Sequence, residues 1–227
     1  MTELLYLKDT YLFSWSAGII ETWRDESGDS IILDQTLFYP QWGGQPSDIG
    51  LISNESAIFR VTRVRIDEYG IVSHYGSYES WEFKTGTTIS MQIDQATRLQ
   101  NARNHSAGHL IDVAMKQIRY DQLKPMKWHH FPDGCYVEYS WRLDEDITEQ
   151  LQEAVNTVIA ENIPVIVSAH TSDKAPIGKI PRYVAFEWYE WCGCGGTHVR
   201  SSLEIGKVTI RKVKSKDTTV KVSYSVE

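Results

Sequence analysis

Residues Asp94 to Tyr120 read DQATRLQNARNHSAGHLIDVAMKQIRY, and this stretch divides the chain. Leu99, Ala102, Leu110, Val113, Ala114 and Ile118 fall on an approximate helical stripe. His105 and His109 sit within it, four positions apart, so a turn of about 3.6 residues puts both imidazoles on one face, able to chelate one ion. Ahead of this stretch no helical period survives. Ile31–Leu33, Ile58–Val64 and Thr87–Met91 are short strand-like runs, separated by Gly, Asn, Asp and Ser at spacings that suit a small barrel.

Behind it the pattern mixes. Cys135–Tyr139 alternates as a strand, and the segment 144–162 predicts an amphipathic helix with Ile147, Leu151, Ala154, Val155, Val158 and Ile159 on one face. Asp144 or Asp146 is its expected N-cap, Pro164 ends it, and Val165–Val167 starts a strand. Val208–Val213 and Thr219–Tyr224 predict a hairpin turning at Ser215 to Asp217. No repeat or low-complexity linker intervenes, so the boundary near residue 95 is a change of period. The expected fold class is α+β: a β-barrel domain over 1–95 and an α+β layer over 96–227.

The chain has 227 residues and a net charge of −7, which argues against a general polyanion binder. The charge is uneven. Residues 1–95 carry 6 basic and 14 acidic side chains, and residues 96–227 carry 17 and 16, so the second part can still face phosphates locally. The N-terminus, MTELLYLKDTYLF, lacks a basic segment followed by an apolar one, and no run approaches the roughly 20 apolar residues of a membrane span. A cytoplasmic protein without a membrane partner is expected.

A second cluster, Cys194-Gly-Gly-Thr-His198, places a thiolate and an imidazole four apart across two glycines that suit a tight loop round a metal. Two His from a helix with a Cys and a His from a distant loop make a tetrahedral nitrogen and sulfur set that favours zinc. Three cysteines, two of them in one CGC triplet, do not form a disulfide framework. Cys192 reads as an extra thiol and Cys135 as a small apolar filler.

Phe38 to Gly50 is a glycine-rich loop. Gly43 and Gly44 permit positive φ and close backbone approach to a ligand, with Gln45 and Asp48 as polar tips; an ordinary turn between strands fits as well. No Lys-Ser/Thr follows the glycines, so it is not a phosphate loop. His129 and His130, between Trp128 and Phe131, either line a pocket or are buried and satisfied by neighbours. Arg211, Lys212 and Lys214 crowd the predicted hairpin, to lie along phosphates or to protect a solvated edge.

HSAGH with CGGTH, preceded by FYPxxGGQPxDxG, resembles the editing domain of alanyl-tRNA synthetase and its free-standing relatives, the trans-editing AlaX proteins that keep an N-terminal barrel. Asp94 and Arg98 ahead of the first His, HFPDGCYVEY, and Glu204-Ile205-Gly206 followed by Ile210–Val213 add to the match. The resemblance implies a core shared with the editing region of threonyl-tRNA synthetase. It implies a deacylase acting on alanine tRNA wrongly charged with serine or glycine. On it, His105, His109, Cys194 and His198 hold one zinc ion, and the Gly43-Gly44-Gln45 loop covers the aminoacyl pocket. His129 falls near the place where some compact relatives carry a hydroxylated residue that reads serine. Gly108 stands where synthetase editing domains commonly have Thr. Nothing resembles the ATP-binding aminoacylation domain, so no ATP is expected. Two alternatives stay open: a zinc-stabilised module that binds tRNA or a synthetase without catalysis, and a zinc hydrolase of another ester. The absence of HExxH argues against a metalloprotease.

Overall fold

The computed structural model describes residues 1–26, 28–169 and 182–227. They form two compact units, the first holding Met1–Trp42 and Pro46–Arg98, the second Gly43–Gln45 and the described residues from Leu99 onward.

The first unit contains, in chain order, β1 (Glu3–Leu4), β2 (Ser14–Asp25), β3 (Gly28–Leu33), β4 (Gln35–Thr36), β5 (Gly50–Ser53), β6 (Ile58–Ile66), β7 (Val72–Tyr78) and β8 (Thr88–Ile93). Strands β2-β3-β7-β6-β5-β8 close into a barrel, with β8 returning to pair antiparallel with β2. Period-two alternation turns Ile89, Met91 and Ile93 of β8 inward, and Phe59 and Val61 of β6, whose register to β7 then shifts so that Val64, three places on, is the next buried residue. β2 escapes a reading by alternation because its register to β3 shifts between Ile19 and Glu21.

Asp94 precedes α1 (Gln95–Gln117) and accepts the Thr97 amide at 2.7 Å, the bond that starts a helix. Arg98, in the first turn, is wholly buried in the first unit. Its guanidinium straddles the Asp48 carboxylate and donates to the carbonyls of Leu37 and Thr10 at 2.6 and 2.9 Å. Asp48 also accepts the Tyr39 amide at 2.6 Å. It is therefore a fully engaged internal anion. Asp48 is thus not a polar tip free to meet a ligand, since the buried Arg98 guanidinium engages its carboxylate.

The second unit contains the rest of α1, then β9 (Lys124–His129), β10 (Cys135–Ser140), α2 (Thr148–Ala160), β11 (Val165–Ala169), β12 (Arg182–Phe186), β13 (Cys192–Gly193), β14 (Val208–Lys216) and β15 (Thr219–Val226). One sheet runs β14-β15-β10-β9, all antiparallel, and a smaller one β11-β12-β13. Val137 and Tyr139 of β10 and Val222 and Tyr224 of β15 join one core with Leu110 and Ile111 of α1 and Leu151, Val155 and Val158 of α2. Helix α2 starts later than the segment 144–162 suggests. Asp146 accepts the Thr148 amide and hydroxyl at 2.9 and 2.6 Å, while Asp144 pairs with Arg142 at 3.1 Å. The N-cap itself is Ile147, without a side-chain cap bond, so neither aspartate holds the expected position; Asp146, one place earlier, closes a turn onto Thr148. Asn162, at φ 50°, turns the chain out of the helix before Pro164.

Candidate metal centre

Helix α1 brings His105 and His109 together on one face, as their spacing requires, with Nε2 atoms 3.2 Å apart. The loop after β13 brings Cys194 and His198 to the same place. Cys194 Sγ lies 3.1 Å from His105 Nε2 and 3.4 Å from His198 Nε2. All four donor atoms lie within 4.8 Å of one another. Zinc–nitrogen bonds of about 2.0 Å and zinc–sulfur bonds of about 2.3 Å at tetrahedral angles imply edges of about 3.3 and 3.6 Å. The nitrogen–nitrogen separation of 3.2 Å is close to its edge, and the two nitrogen–sulfur separations, 3.1 and 3.4 Å, are shorter than theirs; the donor types and their convergence fit a metal ion.

Electrostatics point the same way. Burial is the leading cause that drives the His105 and His198 imidazoles well below their ordinary pKa and His109 down to about 4. Nearby Arg182, and for His105 and His198 the neighbouring imidazoles, push further. The rings are thus held neutral, which is the ligating form. Burial also raises the Cys194 thiol to about 11. A cation among the donors inverts that preference and favours the thiolate.

The loop is shaped by groups the sequence reading did not single out. Arg182 donates to the carbonyls of Cys194 and Gly196 at 2.9 and 2.8 Å, gripping the loop by its backbone. Ser106 Oγ accepts the Val199 amide at 3.1 Å and lies 3.3 Å from His198 Nδ1, fixing that ring from behind. Gly196 has no room for a side chain, because a Cβ there would stand 2.2 Å from His105 Cε1.

Gly43–Gln45 belongs to this unit. Gln45 is buried, donates from Nε2 to Thr197 Oγ1 at 2.9 Å and accepts the Thr197 amide at 3.2 Å. It is a brace on the Cys194–His198 loop. Gly44, at φ 80°, accepts the His130 amide at 2.8 Å, and a Cβ there would meet the Trp128 carbonyl oxygen at 2.3 Å. Positive φ and close backbone approach, both expected of this glycine, are observed, though the close neighbour is another stretch of backbone.

The two adjacent histidines part company. His130 is buried with its ring centroid 4.4 Å from that of His105. His129 stacks on Phe131 and Tyr136 at 4.7 and 5.1 Å. Strand alternation sends neighbours to opposite faces, so it is His130, and not His129, that packs against the candidate ligands. Tyr224 Oη lies 2.8 Å from the Asn104 carbonyl oxygen and 2.8 Å from His130 Nδ1. Two oxygens that close need a proton between them, so the hydroxyl donates to Asn104 and accepts from His130 Nδ1–H. This leaves Nε2 as the unprotonated atom. Burial lowers the His130 pKa to about 3. A side chain at position 108 would collide with this ring, since a Cβ on Gly108 would lie 2.5 Å from His130 Cε1.

Arg211, Lys212 and Lys214 lie on β14, an edge strand of the four-stranded sheet, all exposed, with Arg211 also donating to the Tyr224 carbonyl at 3.0 Å. Cys192, on β13, stands outside the four-donor group. No helix among the described residues is long and apolar enough to cross a membrane.

The family model described as tRNA synthetases class II (A) matches residues 12–97. The alanyl-tRNA editing protein AlaX-L of Pyrococcus horikoshii is 28% identical over 95% of this chain and 55% of its own length. The alanine–tRNA ligase of Methanobrevibacter smithii is 25% identical over 94% of this chain, and that of Desulfosudis oleivorans 32% identical over 78%. The chain thus spans about half of the editing protein and about a quarter of the ligases, aligning with 25% and 22% of the latter.

Proposed function

From its likeness to an alanyl-tRNA editing protein along nearly its whole length, we propose that this chain is a zinc-dependent trans-editing deacylase. Its substrate in this reading is alanine tRNA mischarged with serine, with glycine as a second target, and its place is the cytoplasm. The observation that carries the reading is the convergence of His105, His109, Cys194 and His198. Residues 96–227, joined by Gly43–Gln45, form the deacylase part, and the rest of residues 1–95 its barrel companion.

An aminoacyl ester is already activated, so modest assistance suffices. His105, His109, Cys194 and His198 would hold the zinc ion, which would supply Lewis acidity toward the ester carbonyl or water once one donor yields its position. The chain's own groups bind and orient. Gln45 keeps the Cys194–His198 loop in place through Thr197, and Gly43 and Gly44 shape the backbone beside it. Serine differs from alanine by a hydroxyl, and a site that hydrogen-bonds this group rejects alanine by leaving its own polar atom unpaired. His130, with Nδ1 engaged by Tyr224, has Nε2 left to accept that hydroxyl. Arg211, Lys212 and Lys214 take phosphates of the tRNA. Asp48 has no part in substrate binding, because Arg98 engages its carboxylate.

The test is deacylation by the purified chain, with elemental analysis alongside. Ser-tRNA for alanine is hydrolysed much faster than Ala-tRNA, the protein carries about one zinc, and His105→Ala with Cys194→Ala loses both properties. Equal rates on the two substrates reject the specificity. A protein free of transition metal that takes up none rejects the zinc site. Four protein donors complete a tetrahedron, the ligand count of structural zinc, and this favours a second reading as a tRNA-binding module. Zinc-loaded protein that binds tRNA without hydrolysing it decides for that module. Cleavage of a small seryl ester but not of the tRNA ester decides for a hydrolase of another ester.

A further inference from the structure

The four-stranded sheet buries one face against α1 and α2 and leaves the other open. Cross-strand register sets what the open face carries. On β14, Lys212, Lys214 and Lys216 alternate with inward or half-buried neighbours and are all exposed. Exposed Lys221 on β15 stands directly opposite Lys214 and, on its other side, Glu138 of β10. Glu138 in turn faces exposed Lys127 of β9. Two ammonium groups directly opposite one another destabilise an antiparallel pair. Glu138 offsets this for Lys221 on one side only, so the face keeps a cationic excess that suits a polyanion.

Aromatic rings are set among these cations. Lys221 Nζ sits 3.5 Å from the centroid of the Tyr136 ring, and Lys127 Nζ 5.9 Å from it. The Tyr136 ring stacks with His129, and His129 with Phe131, at interplanar angles of 24° and 16°. Three near-parallel rings thus run in a row from the middle of the sheet to the end of β9, with Phe131 the last.

We propose that this open face is a single RNA-binding surface: lysines of β14, β15 and β9 lie along phosphates, and an unpaired base extends the ring row at Phe131. The combination separates nucleic acid from other polyanions, because flat rings interleaved with lysines accept bases as well as phosphates. The inference deepens the deacylase reading, on which it rests for the identity of the RNA as tRNA. It widens the contact from one edge strand to the whole sheet face.

The experiment uses the full chain and uncharged alanine tRNA, with binding followed by fluorescence anisotropy across a salt series. Lys127→Gln with Lys221→Gln, on β9 and β15, lowers affinity and flattens the log–log salt dependence by about one unit per lost phosphate contact. Phe131→Leu lowers affinity about five- to hundredfold, as loss of one stacked base does, and leaves the salt slope unchanged. Circular dichroism and metal content establish that each variant is folded, and Lys8→Gln with Lys84→Gln, both exposed on the barrel unit, is the charge-matched control. Wild-type affinity and slope in the folded double variant overturn the surface, as does a wild-type protein that binds no RNA. Tight binding through this face by a protein that fails to deacylate Ser-tRNA leaves the surface standing and defeats the deacylase reading.

Discussion

Gly108 and His130 occupy one space. The 2.5 Å between an added Cβ at 108 and His130 Cε1 means that Gly108→Thr must move the ring, the Tyr224 hydroxyl beside it, or both. Overpacking of this kind costs about 1–3 kcal/mol, seen as a lowered midpoint in urea. His130→Ala should relieve it, so the double variant is more stable than the two single effects summed. Simple additivity would show that position 108 does not feel the ring. The sequence marked Gly108 and His129 as departures from the editing-domain pattern but showed no link from Gly108 to His130, because steric exclusion between sites 22 positions apart leaves no periodic trace. The four candidate ligands were legible for the opposite reason: i, i+4 spacing on a helix and Cys-Gly-Gly-Thr-His in a loop are local signals.

At the scale of elements, Arg98 shows how α1 is anchored at its start. Asp48→Ala removes its carboxylate and leaves a buried guanidinium with carbonyl partners only. Stranding a buried charge costs about 3–5 kcal/mol. Asp48→Ala should therefore lower the barrel unit's stability by that order. Replacing the exposed Asp9 should change little. Calorimetry that finds the two variants alike would deny the pair its role. Helices α1 and α2 were readable from apolar period, and β3, β6 and β8 from apolar runs. β7 was not readable, because its run of Ser73, His74, Tyr75, Gly76 and Ser77 presents mainly polar or small groups where burial alternates. Arg182 of β12 gave no signal either, since a loop clamp made of backbone carbonyls leaves no mark on neighbouring residue types.

For the molecule as a whole, buried imidazoles set the response to acid. His74 in the barrel, outside the candidate metal set, lies 2.7 Å from Thr36 Oγ1 and 2.9 Å from the Ile31 carbonyl, and burial lowers its pKa to about 4. His130 goes down to about 3. A histidine whose folded pKa is depressed contributes stability that is fully present above its unfolded value of about 6.5 and is lost as pH falls through the folded one. Asp112, which burial raises to about 7, works the other way: its contribution is present below about 3.9 and lost as pH rises to 7. Two or more histidines outweigh one carboxyl. Stability of the metal-free chain should therefore fall from pH 6.5 toward pH 4, measured by urea titration. His74→Gln should flatten the fall. A flat profile across that window would contradict the buried neutral rings.

Gly43–Gln45 lies in the sequence between two stretches of the barrel unit, yet it is part of the other unit, where Gln45 and Thr197, 152 positions apart, complete each other's hydrogen bonds. The second unit is thus written discontinuously in the gene. A single cut near residue 95 transfers a tripeptide to the wrong fragment and strands the buried Thr197 amide and the His130 amide without acceptors. A fragment of residues 96–227 should fold less stably than the same unit in the intact chain, and a peptide spanning residues 38–50 added in trans should recover part of the loss.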